Sequence, residues 1–324
     1  MENINRFKQS IHNFYLDIQF FLGTSEIKLS NEAKKHPLSL LVAATAMCAG
    51  LYAVGSYMTA YIPSPWGVGQ FRPAVIIPVF FAVIFGPVSA GVGAALGTFI
   101  ADSLKHGYFY PGSYLAAVWG NLIGFYLFGW LVKNKFSWRR FVTASNITLT
   151  LANAIVAFLY VFLFKVLYLG ESKYVTMTLD VQIFFSIGLT IWWFVTLLPF
   201  VLIVTPLLIR AVAIAMPSIV TEDVRLHSLK EELPKTTFTL AFLIPGLIML
   251  LVGLAMSYTI LGDYVYTYFK APNPTVLPTA TLIHLMFYIS GAVLSALGVL
   301  VFAGQMLFWK KTALEKEEMK TEHI

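Results

Sequence analysis

The sequence predicts an all-α fold, a polytopic membrane helical bundle of about eight transmembrane helices. Three observations predict it. Hydrophobic residues make up 58% of the 324 and charged residues only 12%, where an average soluble domain is about 25% charged. Several apolar runs reach the roughly 20 residues a helix needs to cross a hydrocarbon core about 30 Å thick. The basic residues, finally, gather beside those runs in groups that alternate between rich and poor, as membrane loops do.

Residues 1–37 are expected to form a cytoplasmic arm in which Phe7, Ile11, Phe14, Ile18, Phe21 and Leu22 recur at helical spacing. Such an amphipathic stretch lies either on a membrane or partner surface or beneath the protein's own bundle. No cleavable signal peptide is apparent, so span 1 is expected to act as its own insertion signal. Span 1 runs from Leu38 to about Ile62 and ends at Pro63 and Pro65, which cannot continue a helix. A loop carrying Trp66, Gly67, Gly69, Gln70, Phe71 and Arg72 leads to span 2, from about Pro73 to Phe85, too short for an ordinary crossing. Gly86-Pro87 then breaks the chain before span 3, about Val88 to Leu104. Short paired spans of this kind border binding cavities, because the backbone groups they free must face protein or water rather than lipid.

Span 4 runs from about Gly112 to Val132, span 5 from about Phe141 to Leu169, and span 6 from about Leu179 to Ile209 with Pro199 and Pro206 as kinks. The six spans make a core over residues 38–213. A charged cytoplasmic connector, 214–235, separates it from a two-span module, 236–309, whose spans are about Thr236 to Leu261 and Thr279 to Trp309. The tail, 310–324, is charged and reads as a solvated helical extension.

With eight spans, the arm, the 4-5 loop, the 6-7 connector and the tail share one side and hold most of the 22 basic residues. The other side receives only Arg72, Lys105, Lys173 and Lys270, and Lys165 lies within span 5. By the positive-inside rule the basic side is cytoplasmic, so both termini are expected inside the cell membrane.

The opposite loops are rich in aromatic residues. Trp66, Gln70, Phe71 and Arg72 come from the first, and Asp102, Lys105, His106, Tyr108, Phe109 and Tyr110 from the end of span 3 and the second. Together they suggest the mouth of a pocket in which aromatic faces stack on a solute and a few polar groups orient it, although Trp and Tyr also gather at membrane interfaces regardless of function. Asp102, near the outer end of span 3, either pairs with Arg72 or Lys105 or binds a polar ligand group. Asn121 and Asn153 are amides at membrane depth, suited to bonding between helices or to touching substrate. Trp119, Trp192 and Trp193 either wall an aromatic cavity or pack on neighbouring helices and lipid. In span 1, Ala46, Ala49, Gly50 and Ala53 form a small-residue strip that admits another helix at close range, from this chain or a partner.

Enzyme signatures are missing, and the protein is not expected to be an enzyme. There is no Walker A loop, no His-Glu-x-x-His and no Gly-x-Ser-x-Gly, and the six histidines are too scattered for a metal site. The lone Cys48 lies in an apolar run, and no cofactor is implied. The formal charge of +6 reads as a topology signal rather than a nucleic-acid surface.

The segment Phe71-Arg72-Pro73-Ala74-Val75-Ile76-Ile77-Pro78, continuing to Phe85-Gly86-Pro87 and a glycine-rich run ending at Ala101-Asp102, resembles the substrate-binding S components of energy-coupling factor transporters. The order and lengths of the spans over 38–213 fit that family, whereas the arm and the last two spans are additions to its usual core. The resemblance implies that Ala46, Ala49, Gly50 and Ala53 dock a transmembrane coupling subunit served by two ABC-type ATPases. It also implies that a vitamin-like or other small organic solute binds under the outer loops. The alternative expectation is a non-transporting accessory or scaffold subunit of a larger membrane complex, or a membrane ligand sensor.

Overall fold

A computed structural model describes residues 37–64, 68–133, 136–227, 235–259 and 284–304. The arm (up to residue 36), Trp66 and the tail lie outside the described residues. The chain divides into two units, Met1–Leu41 and Val42–Ile324. In the first, residues 37–41 open a helix, and the Pro37 carbonyl accepts from the backbone N–H groups of Leu40 and Leu41. The second holds the bundle.

Among the described residues there is no β-strand, and seven helices are long and apolar enough to cross a membrane. The protein is an all-α, multi-pass membrane bundle. Its first helix, α1 (Leu38–Met58), is followed by a 3₁₀ turn (Pro73–Val75) that runs into the short α2 (Ile76–Phe85), then by α3 (Pro87–His106). A π-helical stretch, Ser113–Ala117, precedes α4 (Val118–Val132), and a second, Leu159–Tyr168, extends α5 (Trp138–Phe158). The short α6 (Ser172–Val175) leads to α7 (Leu179–Ala215) and the short α8 (Glu222–Leu226). The last pair is α9 (Lys235–Tyr258) and α10 (His284–Gly304).

The break between α2 and α3 has a local cause. Gly86 sits at φ 91°, which a side chain would oppose, and Pro87 starts α3 with a φ already suited to a first helical turn. Although the Pro73–Phe85 segment is only about 20 Å long by helical rise, it passes from one end of the bundle to the other. At one end Arg72 meets Asp102 of α3; at the other Pro87 packs on Gly129 of α4. Neighbours α3, α4 and α7 enclose it, so its ends face protein rather than lipid.

Glycines set the helix spacing. A Cβ on Gly93 would stand 2.6 Å from the Cys48 Cβ of α1, and one on Gly97 would stand 2.7 Å from the Ala49 carbonyl oxygen. On the other side of α3, Gly91 faces the Leu122 carbonyl of α4 at 2.8 Å from its notional Cβ. Gly120 and Gly124, four apart on α4, admit Val156 and Ala152 of α5 in the same way. Polar cross-links add to this close packing: Thr45 Oγ1 donates to Ser89 Oγ at 3.2 Å, and Tyr52 Oη donates to Asn121 Oδ1 at 3.2 Å.

The small-residue strip of span 1 is therefore divided. Ala49 and Ala53 are buried within this chain, while Ala46 and Gly50 are exposed, with open space beyond Gly50. Span 6 also differs from its expected limits. Instead of ending near Ile209, α7 runs for 37 residues to Ala215 with Pro199 and Pro206 inside it, so the boundary drawn at residue 213 falls within a helix. The connector is docked rather than merely solvated. Asp223 accepts from the Phe136 backbone N–H, and the His227 carbonyl accepts from Trp138 Nε1 at 3.2 Å and Arg210 at 3.0 Å. The α9 and α10 helices pack at glycine range, with Gly246 facing Ser295 and Gly298 facing Leu243, and α9 rests on α5 and α7.

Candidate functional site

A cavity of about 350 Å3 opens at the end of the bundle where α2 begins. Its walls come from α1, the loop before α2, the end of α3, both π-helical stretches, α4, α5 and α7. Its lining includes a buried ion pair. Arg72 Nη2 donates to Asp102 Oδ1 at 2.6 Å, with the two side chains 13% and 5% exposed. Gln70 braces both partners, accepting from Arg72 at 3.0 Å and donating to Asp102 at 3.3 Å. A further guanidinium N–H donates to Thr98 Oγ1, and the Tyr52 hydroxyl also interacts with Arg72. Burial works against the guanidinium's charge, but Asp102 and Tyr52 outweigh it and raise its pKa above the usual arginine value.

The loop is held over the cavity from α7. Trp193 Nε1 donates to the Gln70 carbonyl at 3.0 Å, and Gly69, at φ 77°, lies so close to the indole that a Cβ would be 2.7 Å from the ring. A short antiparallel bridge between Pro63 and Gln70 closes the loop on itself. Also in the lining, His106 stacks on Tyr110 with ring centroids 3.7 Å apart and planes 3° apart. His106 Nδ1 donates to the Asp102 carbonyl at 2.7 Å, which fixes its ring. Burial raises the Tyr110 phenol above its ordinary value, so at neutral pH it keeps its proton.

Lys165, likewise in the lining, forms a second ion pair. Lys165 Nζ contacts Glu171 Oε2 at 2.6 Å and sits 5.5 to 5.6 Å from the ring centres of Tyr160, Phe164 and Tyr174. It lies in the Leu159–Tyr168 π-helical stretch, a backbone form often found at functional sites.

Of the residues singled out from sequence, Gln70, Arg72, Asp102, Lys105, His106, Tyr110, Asn121, Asn153 and Trp193 line this one cavity. Five do not, among them Tyr108 and Phe109, which are exposed. The Phe71 ring packs edge-on against Phe200, 5.6 Å away. Trp119 is 44% exposed, because it lies two residues, or about 200° of helix, from the inward Asn121. Trp192, one step of about 100° from Trp193, is buried in the core. Trp66 lies outside the described residues. Sequence reasoning missed Tyr52, Ser113, Tyr160 and Lys165 as lining residues. Only Lys165 had carried a signal, as an ionisable group within an apolar span.

No protein-family model, curated protein or solved structure matches the chain.

The arrangement is suited to binding. The cavity volume falls at the lower end of the roughly 300–1,000 Å3 of small-molecule sites. Its walls combine aromatic faces with a few fixed polar groups, and among the described residues no group of three or more His, Cys, Asp or Glu is placed to hold a metal ion.

Proposed function

We propose that this protein is a membrane solute-binding subunit of the S-component kind. It captures a small organic solute at the outer end of its six-span core and passes it to a transmembrane coupling subunit driven by ABC-type ATPases. In this reading it lies in the cell membrane with both termini cytoplasmic, and the exposed Ala46 and Gly50 face the coupling subunit. The observation that carries it is the cavity built on the buried Arg72–Asp102 pair, open at the end of the bundle where the short α2 begins. A buried charged constellation in a membrane protein is costly to keep and is by default a reason to look for a functional site, and aromatic walls with a few fixed polar groups suit a solute.

The test is a gentle detergent pull-down of the tagged protein from its native membrane, followed by mass spectrometry. Co-purification of an ATP-binding-cassette ATPase and a second membrane subunit is the expected result; a stable set of other membrane proteins without an ATPase would refute it. The latter outcome is what the accessory-subunit reading predicts. In that reading the contacts are carried by α9 and α10, which lie outside the six-span core. Deleting this pair would then dissolve the assembly, whereas solute binding by the core would survive it.

A further inference from the structure

We infer that the solute is a small aromatic or heteroaromatic carboxylate, held through its anionic end by Lys105 and through a hydrogen-bond acceptor by Asn153 and Ser113. The inference rests on the solute-binding reading above and names the chemistry of its ligand.

Charge supplies the first observation. The cavity is lined by the cations Arg72, Lys105 and Lys165, but by a single carboxylate, Asp102. Arg72 and Gln70 already hold Asp102, and Lys165 is neutralised by Glu171. Among the described residues Lys105 has no ion-pair partner. Its ammonium stands 5.8 Å from the Tyr61 ring centre, and Asp102 attracts it from beyond pairing distance. One positive charge, half-buried, is thus left at the site without a counter-charge in pairing distance. A cationic solute would meet this charge with no free carboxylate to bind.

The second observation is independent of charge. Among the described residues Asn153 Nδ2 and Ser113 Oγ are buried and have no hydrogen-bond partner, although both residues line the cavity and are only 9% and 1% exposed. Buried polar atoms left unsatisfied point to a missing partner. An amide N–H can only donate, so the partner at Asn153 is an acceptor. Neighbouring Asn121 offers no such opening, since its Oδ1 accepts from Tyr52 and its Nδ2 donates to the Ala117 carbonyl at 2.7 Å. Tyr110, Trp193 and Phe125 line the same cavity, and aromatic side chains suit a flat ring.

The test uses three charge states on the same rings: benzoate, benzamide and benzylamine, and indole-3-acetate, indole-3-acetamide and tryptamine. Affinities for the full-length protein in detergent are read by calorimetry and thermal shift. Acid extracts of the protein purified from its native membrane are searched for co-purifying organic compounds. On at least one ring the carboxylate should bind about tenfold tighter than the amide, the scale of one charge-assisted contact. Lys105→Gln should abolish that preference and Lys105→Arg should retain it, while Asn153→Leu should weaken acid and amide alike. Equal binding of the three charge states, or a lead for the amines, would overturn the inference and leave solute binding standing. A neutral or cationic compound in the extract would do the same. If no probe binds, an aromatic carboxylate in the extract supports the inference; with no compound in the extract either, the inference and the solute-binding reading fall together.

Discussion

Replacing Arg72 by alanine should destabilise the protein by about 3 kcal/mol, because it leaves the Asp102 carboxylate buried without its counter-ion. The size follows from the geometry: a 2.6 Å contact, side chains 13% and 5% exposed, and a Gln70 amide that replaces only part of the lost interaction. Asp102→Ala should cost a similar amount by stranding the guanidinium. The double substitution is the informative one, because it removes the charge and its counter-charge together. Its cost should fall short of the sum of the two singles by about 2 kcal/mol or more, within the range found for contacting residues. Guanidinium unfolding in a mild detergent, followed by tryptophan fluorescence, measures all four corners of this cycle. Additivity to within about 0.5 kcal/mol would refute the claim that the pair acts as a unit.

Two further outcomes follow from packing and from titration. Gly93→Ala should cost about 1–3 kcal/mol and lower the thermal midpoint, since a methyl there meets Cys48 at 2.6 Å, whereas Gly50→Ala, facing open space, should be neutral or slightly stabilising. Tyr110 and Tyr174 have folded-state pKa values raised chiefly by burial. Their contribution to stability is complete below the unfolded tyrosine value of about 10 and fades as pH rises through the folded values. Absorbance at the tyrosinate band should therefore show at least these two phenols ionising late, and stability should decline from about pH 10 upward; titration of every tyrosine at the ordinary value would contradict the burial.

Much of the fold was legible because the membrane imposes lengths. The limits of Pro73–Phe85 could be read from a proline at one end and Gly86-Pro87 at the other. The far limit of α7 could not, since Arg210 reads as the start of a connector when the helix, with Pro199 and Pro206 inside it, runs on to Ala215 against α2, α5 and α9. The site was half legible. Arg72 and Asp102 stood out as charges beside apolar spans, and the structure joins them. Facing was harder to read: Trp119 and Trp192 share composition with Trp193, but only Trp193 faces the cavity, and nothing in a continuous apolar run marks which side of the helix faces inward. Tyr52 and Tyr160 were invisible for the same reason, being aromatic residues within aromatic, apolar spans. The two π-helical stretches have no sequence signature of their own.

Those stretches, Ser113–Ala117 and Leu159–Tyr168, pack on one another and both line the cavity. A π turn holds more than four residues where an α turn holds about 3.6. Span 5 thus stores surplus chain beside the pocket, downstream of the helix that packs on Gly120 and Gly124. Removing one residue from 159–164 would be absorbed as ordinary α-helix without moving residues 138–158. It would nevertheless turn Lys165 by roughly 100°, out of its aromatic surround and away from Glu171. The wall of the pocket can accordingly be re-registered by a single deletion while the frame behind it stays in place, which gives this bundle a route to altered ligand preference that needs no change in how its helices pack.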